Sequence, residues 1–120
     1  MYVFVYGSLK KGFCNHPLIE GSEFICETHT KESYAMLDLH RFPGVIKDKK
    51  ISIIYGEVYD PEDTVLEQLD IFEGSWYTRE NVELDAGFPA QMYFLKRIPE
   101  KPGYSRIINE GIWTEKQHME

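Results

Sequence analysis

Cysteine is scarce in this sequence: Cys14 and Cys26 are the only two, and they form no C-x-x-C pair. That fits a reducing compartment better than a disulfide scaffold. Histidine is hardly commoner. His16, His29, His40 and His118 never stand four apart from one another, so a metal site would have to be assembled in three dimensions and none is expected. Long hydrophobic runs are missing as well. Tyr2 to Tyr6 is too short to cross a bilayer, and the first residues lack the order of a signal peptide, which leads us to expect a soluble, cytoplasmic protein without a membrane partner. Positive charge is outnumbered, with 13 Lys and Arg against 20 Asp and Glu and a formal net charge of −7. An acidic chain repels a phosphate backbone, so nucleic acid is not an expected partner. The densest basic run, Lys47, Lys49 and Lys50, is broken by Asp48 and reads as a solvated hairpin tip.

What is present is a core. The 120 residues are 42% hydrophobic and 14% aromatic, enough for a packed interior without staples. Neither repeat nor linker interrupts them, and residues 1–120 read as a single domain. Tyr2–Tyr6 predicts a strand buried on both faces. Asn15–Glu20 predicts a short helical turn, and 23–30 and 34–39 predict strands. Phe42-Pro43-Gly44 signals a turn before Val45-Ile46. Ile51–Tyr59 predicts one continuous strand in which Gly56 marks a bulge or a close approach to the backbone. Asp60 as cap and Pro61 in the first turn open a helix whose buried face is Val65, Leu66, Leu69 and Phe72, with Gly74 as its stop. Strands follow at 79–84 and 90–97, a break at Pro99, Pro102 and Gly103, a packed segment at 107–113 and a polar tail from Thr114. The strands are separated mostly by turns, which argues against a doubly wound parallel sheet. The fold class expected is α+β: a compact, mixed, barrel-like sheet with one main helix and short helical turns.

Two stretches carry chemistry. In VFVYGSLKKGFC, Gly7 and Gly12 have the spacing of a P-loop, but Phe13 and Cys14 stand where Lys and Ser/Thr are required, so that reading fails. A dinucleotide fingerprint fails for want of a third glycine and a helix. The residues leave two readings: a plain strand-end glycine, or a turn whose backbone N–H groups and Ser8 hydroxyl gather around an anion. In LDIFEGSWYTR, Glu73 sits at the helix C-terminus, where unpaired carbonyls disfavour a carboxylate. Phe72, Trp76 and Tyr77 could add desolvation, and both effects raise a carboxyl pKa toward the range of a general acid/base. The competing reading is an exposed Glu73 paired with Arg79. A glycosidase pair built on Glu57, Glu83 or Asp85 needs a carboxylate separation that sequence does not supply. A Ser8-based triad lacks its elbow and its histidine.

Taken in order, VFVYGSLKKGFCNH, Phe42-Pro43-Gly44, Gly56-Glu57-Val58-Tyr59, LDIFEG and Tyr77-Thr78-Arg79 resemble the γ-glutamylcyclotransferase-like family, closest to its γ-glutamylamine cyclotransferase and AIG2-like branch. The resemblance runs from Val3 to Leu84. It implies a compact mixed barrel with a cavity at one mouth. It implies that Tyr6, Gly7, Ser8 and Leu9 hold the α-carboxylate of a small γ-glutamyl substrate, and that Glu73 is the catalytic acid/base. It implies release of 5-oxoproline from a γ-glutamyl amine or peptide without a cofactor. A binding module that keeps the anion loop as a carboxylate sensor is the alternative of a different class. One departure is local: only Ser75 and Trp76 separate Gly74 from Tyr77, where many relatives carry a longer loop.

Overall fold

The computed structural model describes residues 1–97 and 106–114. β1 (Val3–Val5) lies in the middle of a five-stranded sheet, and its alternation explains why. Phe4 points into one apolar cluster with Met36, Ile54, Val58, Met92 and Trp113. Val3 and Val5 point into another with Leu9, Ile19, Tyr59, Leu66, Leu69 and Tyr93. A strand apolar on both faces is stable only when covered on both, as the sequence anticipates.

The sheet order is β2 (Glu23–His29), β5 (Tyr55–Asp60), β1, β7 (Pro89–Leu95) and β6 (Tyr77–Glu83). β1 runs antiparallel to β5 and parallel to β7, so the sheet is mixed. Its two edge strands curl until they meet: Thr30 bridges Leu84, and the Lys31 N–H donates to the Glu83 carbonyl at 3.0 Å. Curling removes the exposed edges that a flat sheet would present. β4 (Pro43–Ile46), β3 (Ala35–Asp38) and β8 (Arg106–Ile108) form a second sheet of three strands. Buried Trp113 follows β8 and is fixed from the opening loop, because the Lys10 ammonium donates to the Trp113 carbonyl at 2.8 Å.

Several local expectations are corrected. Ile51–Tyr59 is not one strand: Ser52 makes an isolated bridge to Tyr34, and β5 begins only at Tyr55. Gly56 marks no bulge in β5, but it does mark a close approach, since a Cβ there would stand 2.3 Å from the Val5 carbonyl oxygen; the register shift lies opposite, between Phe24 and Cys26. Asp60 does not cap the helix, because it still pairs with Glu23 as the last residue of β5. The N-cap of α1 (Asp63–Glu73) is Glu62, two residues later. Phe72 does not share the buried helix face: Leu66 and Leu69 are buried, whereas Phe72, in the last turn, is 46% exposed. Pro43, read as turn, is the first residue of β4, a position where its missing N–H is tolerated.

Gly74 stops α1 as expected, with φ at 73°. Short 3-10 turns occupy His16–Leu18, within the expected helical turn, and Gly74–Trp76. The break at Pro99–Gly103 and all of the tail after Thr114 lie outside the described residues. Among those described, no helix is long and apolar enough to cross a membrane.

Candidate active site

β1 delivers its C-terminal loop to one mouth of the curled sheet, and α1 delivers its last turn to the same place. The cavity between them holds about 400 Å³. Tyr6, Gly7, Ser8, Leu9 and Glu73 all line it, so the two stretches singled out in the sequence share one pocket. Asn15, Arg41, Phe42, Pro43, Tyr77 and Tyr93 complete much of the wall. Gly7 passes so close to Pro43 that a Cβ would stand 2.9 Å from the proline ring. A larger residue would push the loop and β4 apart.

The loop's carbonyls are tied up. Gly7 O accepts from the Lys10 N–H at 3.1 Å, Ser8 O from the Asn15 N–H at 3.0 Å, and Leu9 O from His16 Nδ1 at 2.9 Å. That leaves the N–H groups of the turn as the backbone groups to offer a ligand, the arrangement that suits an anion. The Ser8 Oγ accepts from Asn15 Nδ2 at 2.8 Å, so its own proton remains to be donated. Lys10 and Lys11 take no part in the lining. Lys10 is buried against Phe13 and the C-terminal segment, and the Lys11 ammonium lies over the Phe24 ring.

Glu73 is partly buried and its carboxyl is pushed up to about 7, first by loss of solvent and second by the neighbouring Asp70 carboxylate. Of the aromatic neighbours expected to desolvate it, Phe72 and Tyr77 line the pocket beside Glu73, whereas Trp76 is 49% exposed and lies outside the lining. Asp70 stands one helical turn before Glu73, on the same face. Burial works against its charge, yet the Tyr93 hydroxyl at 2.6 Å and a two-point Arg79 contact at 3.0 Å hold its carboxyl below the usual range. Arg79 is thus committed to Asp70, and the expected pairing of Glu73 with Arg79 is not formed. Asp70 is a fixed anion that keeps its neighbour protonatable.

Two tyrosines stiffen the walls. The Tyr6 hydroxyl donates to the Tyr93 carbonyl at 2.7 Å, and the Tyr77 hydroxyl to the Pro43 carbonyl at 2.8 Å. Burial drives both phenols up, and the Glu73 charge adds to it, so they stay neutral donors. Among the described residues no group of three His, Cys, Asp or Glu is placed to hold a metal ion. Sequence reasoning missed Asp70, Tyr93, Asn15 and Arg41. Asp70 had a legible signal, its i, i+3 spacing from Glu73; the other three reach the pocket only through tertiary structure.

The model of the family described as gamma-glutamyl cyclotransferase, AIG2-like, matches residues 3–115. A protein of Methanocaldococcus jannaschii named "Putative gamma-glutamylcyclotransferase" is 46% identical over 95% of this chain and 96% of its own length. The "Gamma-glutamylaminecyclotransferase C" of Danio rerio is 36% identical over 96% of this chain and 81% of its own. In fold, the crystal structure of an uncharacterized Pyrococcus horikoshii protein superposes with a TM-score of 0.79 at 25% identity, covering 98% of this chain and 92% of that one. Sequence over nearly the whole chain and fold agree: the chain belongs to the AIG2-like γ-glutamyl cyclotransferase family.

Proposed function

We propose that this protein releases 5-oxoproline from a γ-glutamyl amine or peptide, with Glu73 as the general acid/base and the Tyr6–Leu9 loop as the carboxylate grip. The observation that carries the reading is the shared cavity, in which a carboxyl pushed up to about 7 faces a turn whose carbonyls are already bonded. The substrate supplies its own nucleophile. Its α-amine attacks the γ-carbonyl carbon, a C–N bond forms that closes a five-membered ring, and the original amide C–N bond breaks. The ring nitrogen ends with two protons fewer than the starting ammonium, and the departing amine leaves with two more. Protons therefore balance without an outside acid, and one carboxyl that accepts and returns them in turn suffices. Because the attack is intramolecular, the enzyme's main task is to fold the substrate, which gripping its α-carboxylate achieves.

A panel of γ-glutamyl amines and γ-glutamyl dipeptides, scored for 5-oxoproline, tests the reaction. Release from at least one class at an enzyme-dependent rate is expected; binding without release from any of them would favour the carboxylate-sensing module instead. Ser8 can be tested separately. Since its hydroxyl proton is left free by Asn15, Ser8→Ala should raise KM about tenfold, the cost of one hydrogen bond to a charged group. An unmoved KM would remove the hydroxyl from the grip.

A further inference from the structure

We propose that Arg41 recognises a carboxylate on the leaving half of the substrate, so that the preferred substrates are γ-glutamyl amino acids or short γ-glutamyl peptides and not simple amines. This rests on the cyclotransferase reading above and names its substrate class.

Among the described residues of the lining, Glu73 is the one acidic side chain and Arg41 the one cation. The chain has four arginines, and three are committed. Arg79 pairs with Asp70, Arg106 with Asp38, and Arg97 stacks over Trp76. The Arg41 guanidinium has no hydrogen-bond or ion-pair partner among the described residues, and it is exposed at the cavity. A guanidinium offers a planar pair of donors that fits a carboxylate at two points.

The backbone that presents it is built. His40, the residue before it, has φ at 78°, a left-handed conformation uncommon outside glycine. Buried Asp38 braces it, accepting the His40 N–H at 2.8 Å on one oxygen and Arg106 at 3.0 Å on the other. The Leu39 N–H closes the turn onto the Phe42 carbonyl at 3.1 Å. Arg41 is therefore held on a braced corner between β3 and β4, an element other than the β1 loop and the α1 turn that carry the proposed carboxylate grip and Glu73. It addresses a part of the ligand other than the glutamyl carboxylate and the reacting nitrogen. Phe42 and Phe72, each 46% exposed and lining the same cavity, supply apolar surface for the carbon skeleton of a leaving amino acid.

Two substrates of equal size isolate the effect: γ-glutamylglycine, which carries the second carboxylate, and γ-glutamylglycinamide, which does not. The wild-type protein should prefer the acid about tenfold in kcat/KM, an advantage of about 1.4 kcal/mol. Arg41→Gln should bring that ratio close to one, Arg41→Lys should keep part of it, and Arg41→Glu should reverse it. The same ratio is read without turnover as the Kd of each compound for Glu73→Gln, with and without Arg41→Gln. An acid preference in Kd that vanishes with Arg41 supports the inference even if neither compound nor any other member of the panel yields 5-oxoproline, an outcome that would sink the cyclotransferase reading alone. A preference unchanged in Arg41→Gln overturns the inference, as does an equal loss on both compounds, which would assign Arg41 to the glutamyl half. Failure of both compounds to bind overturns the two readings together.

Discussion

Replacing Glu73 by Gln should slow the release of 5-oxoproline at saturating substrate about a thousandfold, within the range that general acid/base catalysis supplies, while leaving the Kd for a γ-glutamyl ligand within about threefold of wild type. Gln keeps the shape and a hydrogen-bonding carbonyl but can neither take a proton from the substrate amine nor return one to the departing nitrogen. No neighbour can stand in. Asp70 is one turn away, yet its carboxyl is held below the usual range by Tyr93 and Arg79, so it is a poor proton acceptor near neutrality. Tyr6 and Tyr77 are locked as neutral donors to backbone carbonyls. Single-turnover release measured beside calorimetric binding separates the two effects. Near-normal release by the variant would end the role assigned to Glu73, and a lost Kd would make Glu73 a binding residue instead.

How much of this was legible in the residues differs from element to element. The buried first strand, the helix over the 60s and its stop at Gly74 could be read because each rests on local chemistry: two-faced apolar alternation, a helical repeat, a glycine that accepts φ at 73°. The start of that helix was misplaced because Asp60 and Pro61 carry cap signals, but the ladder to β2 claims Asp60 first. Helical periodicity places Phe72 on the face of Leu66 and Leu69, yet it is 46% exposed and lines the cavity, which periodicity does not describe. The site shows the same division. The flanks of Glu73 and of the Tyr6–Leu9 loop make them candidates, each with a plain structural alternative, while their meeting in one cavity, where Phe72 and Tyr77 also line the wall, is a matter of tertiary structure. Arg79, the obvious counter-ion by proximity, turned out to serve Asp70. Arg41 could not be seen at all, since only the corner braced by Asp38 and Arg106 brings it to the cavity.

The second large effect expected of Glu73→Gln is on stability, and it has the opposite sign to the effect on activity. In the folded protein the Glu73 carboxyl titrates at about 7, against 4.5 for an ordinary glutamate. Below pH 4.5 it is protonated in folded and unfolded chains alike, and it costs nothing. Between 4.5 and 7 the unfolded chain releases the proton while the folded one keeps it, so stability falls as pH rises. Above 7 the folded protein carries the full cost of an ionised carboxylate in the pocket beside Asp70. That gap corresponds to about 3 kcal/mol, and partial solvent access together with the burial cost of an amide brings the expected gain on substitution to about 2 kcal/mol. Urea unfolding at about pH 8 should therefore show Glu73→Gln more stable than wild type by about that amount, with the difference closing as pH falls toward 4.5. Equal stability at both pH values would mean that the carboxyl is not destabilised by its pocket, and the physical basis for its catalytic role would go with it. A variant that is both inactive and more stable cannot have lost its activity by unfolding. Strain of this kind, a charge held where folding disfavours it, is what an acid/base site must maintain to exchange protons near neutral pH.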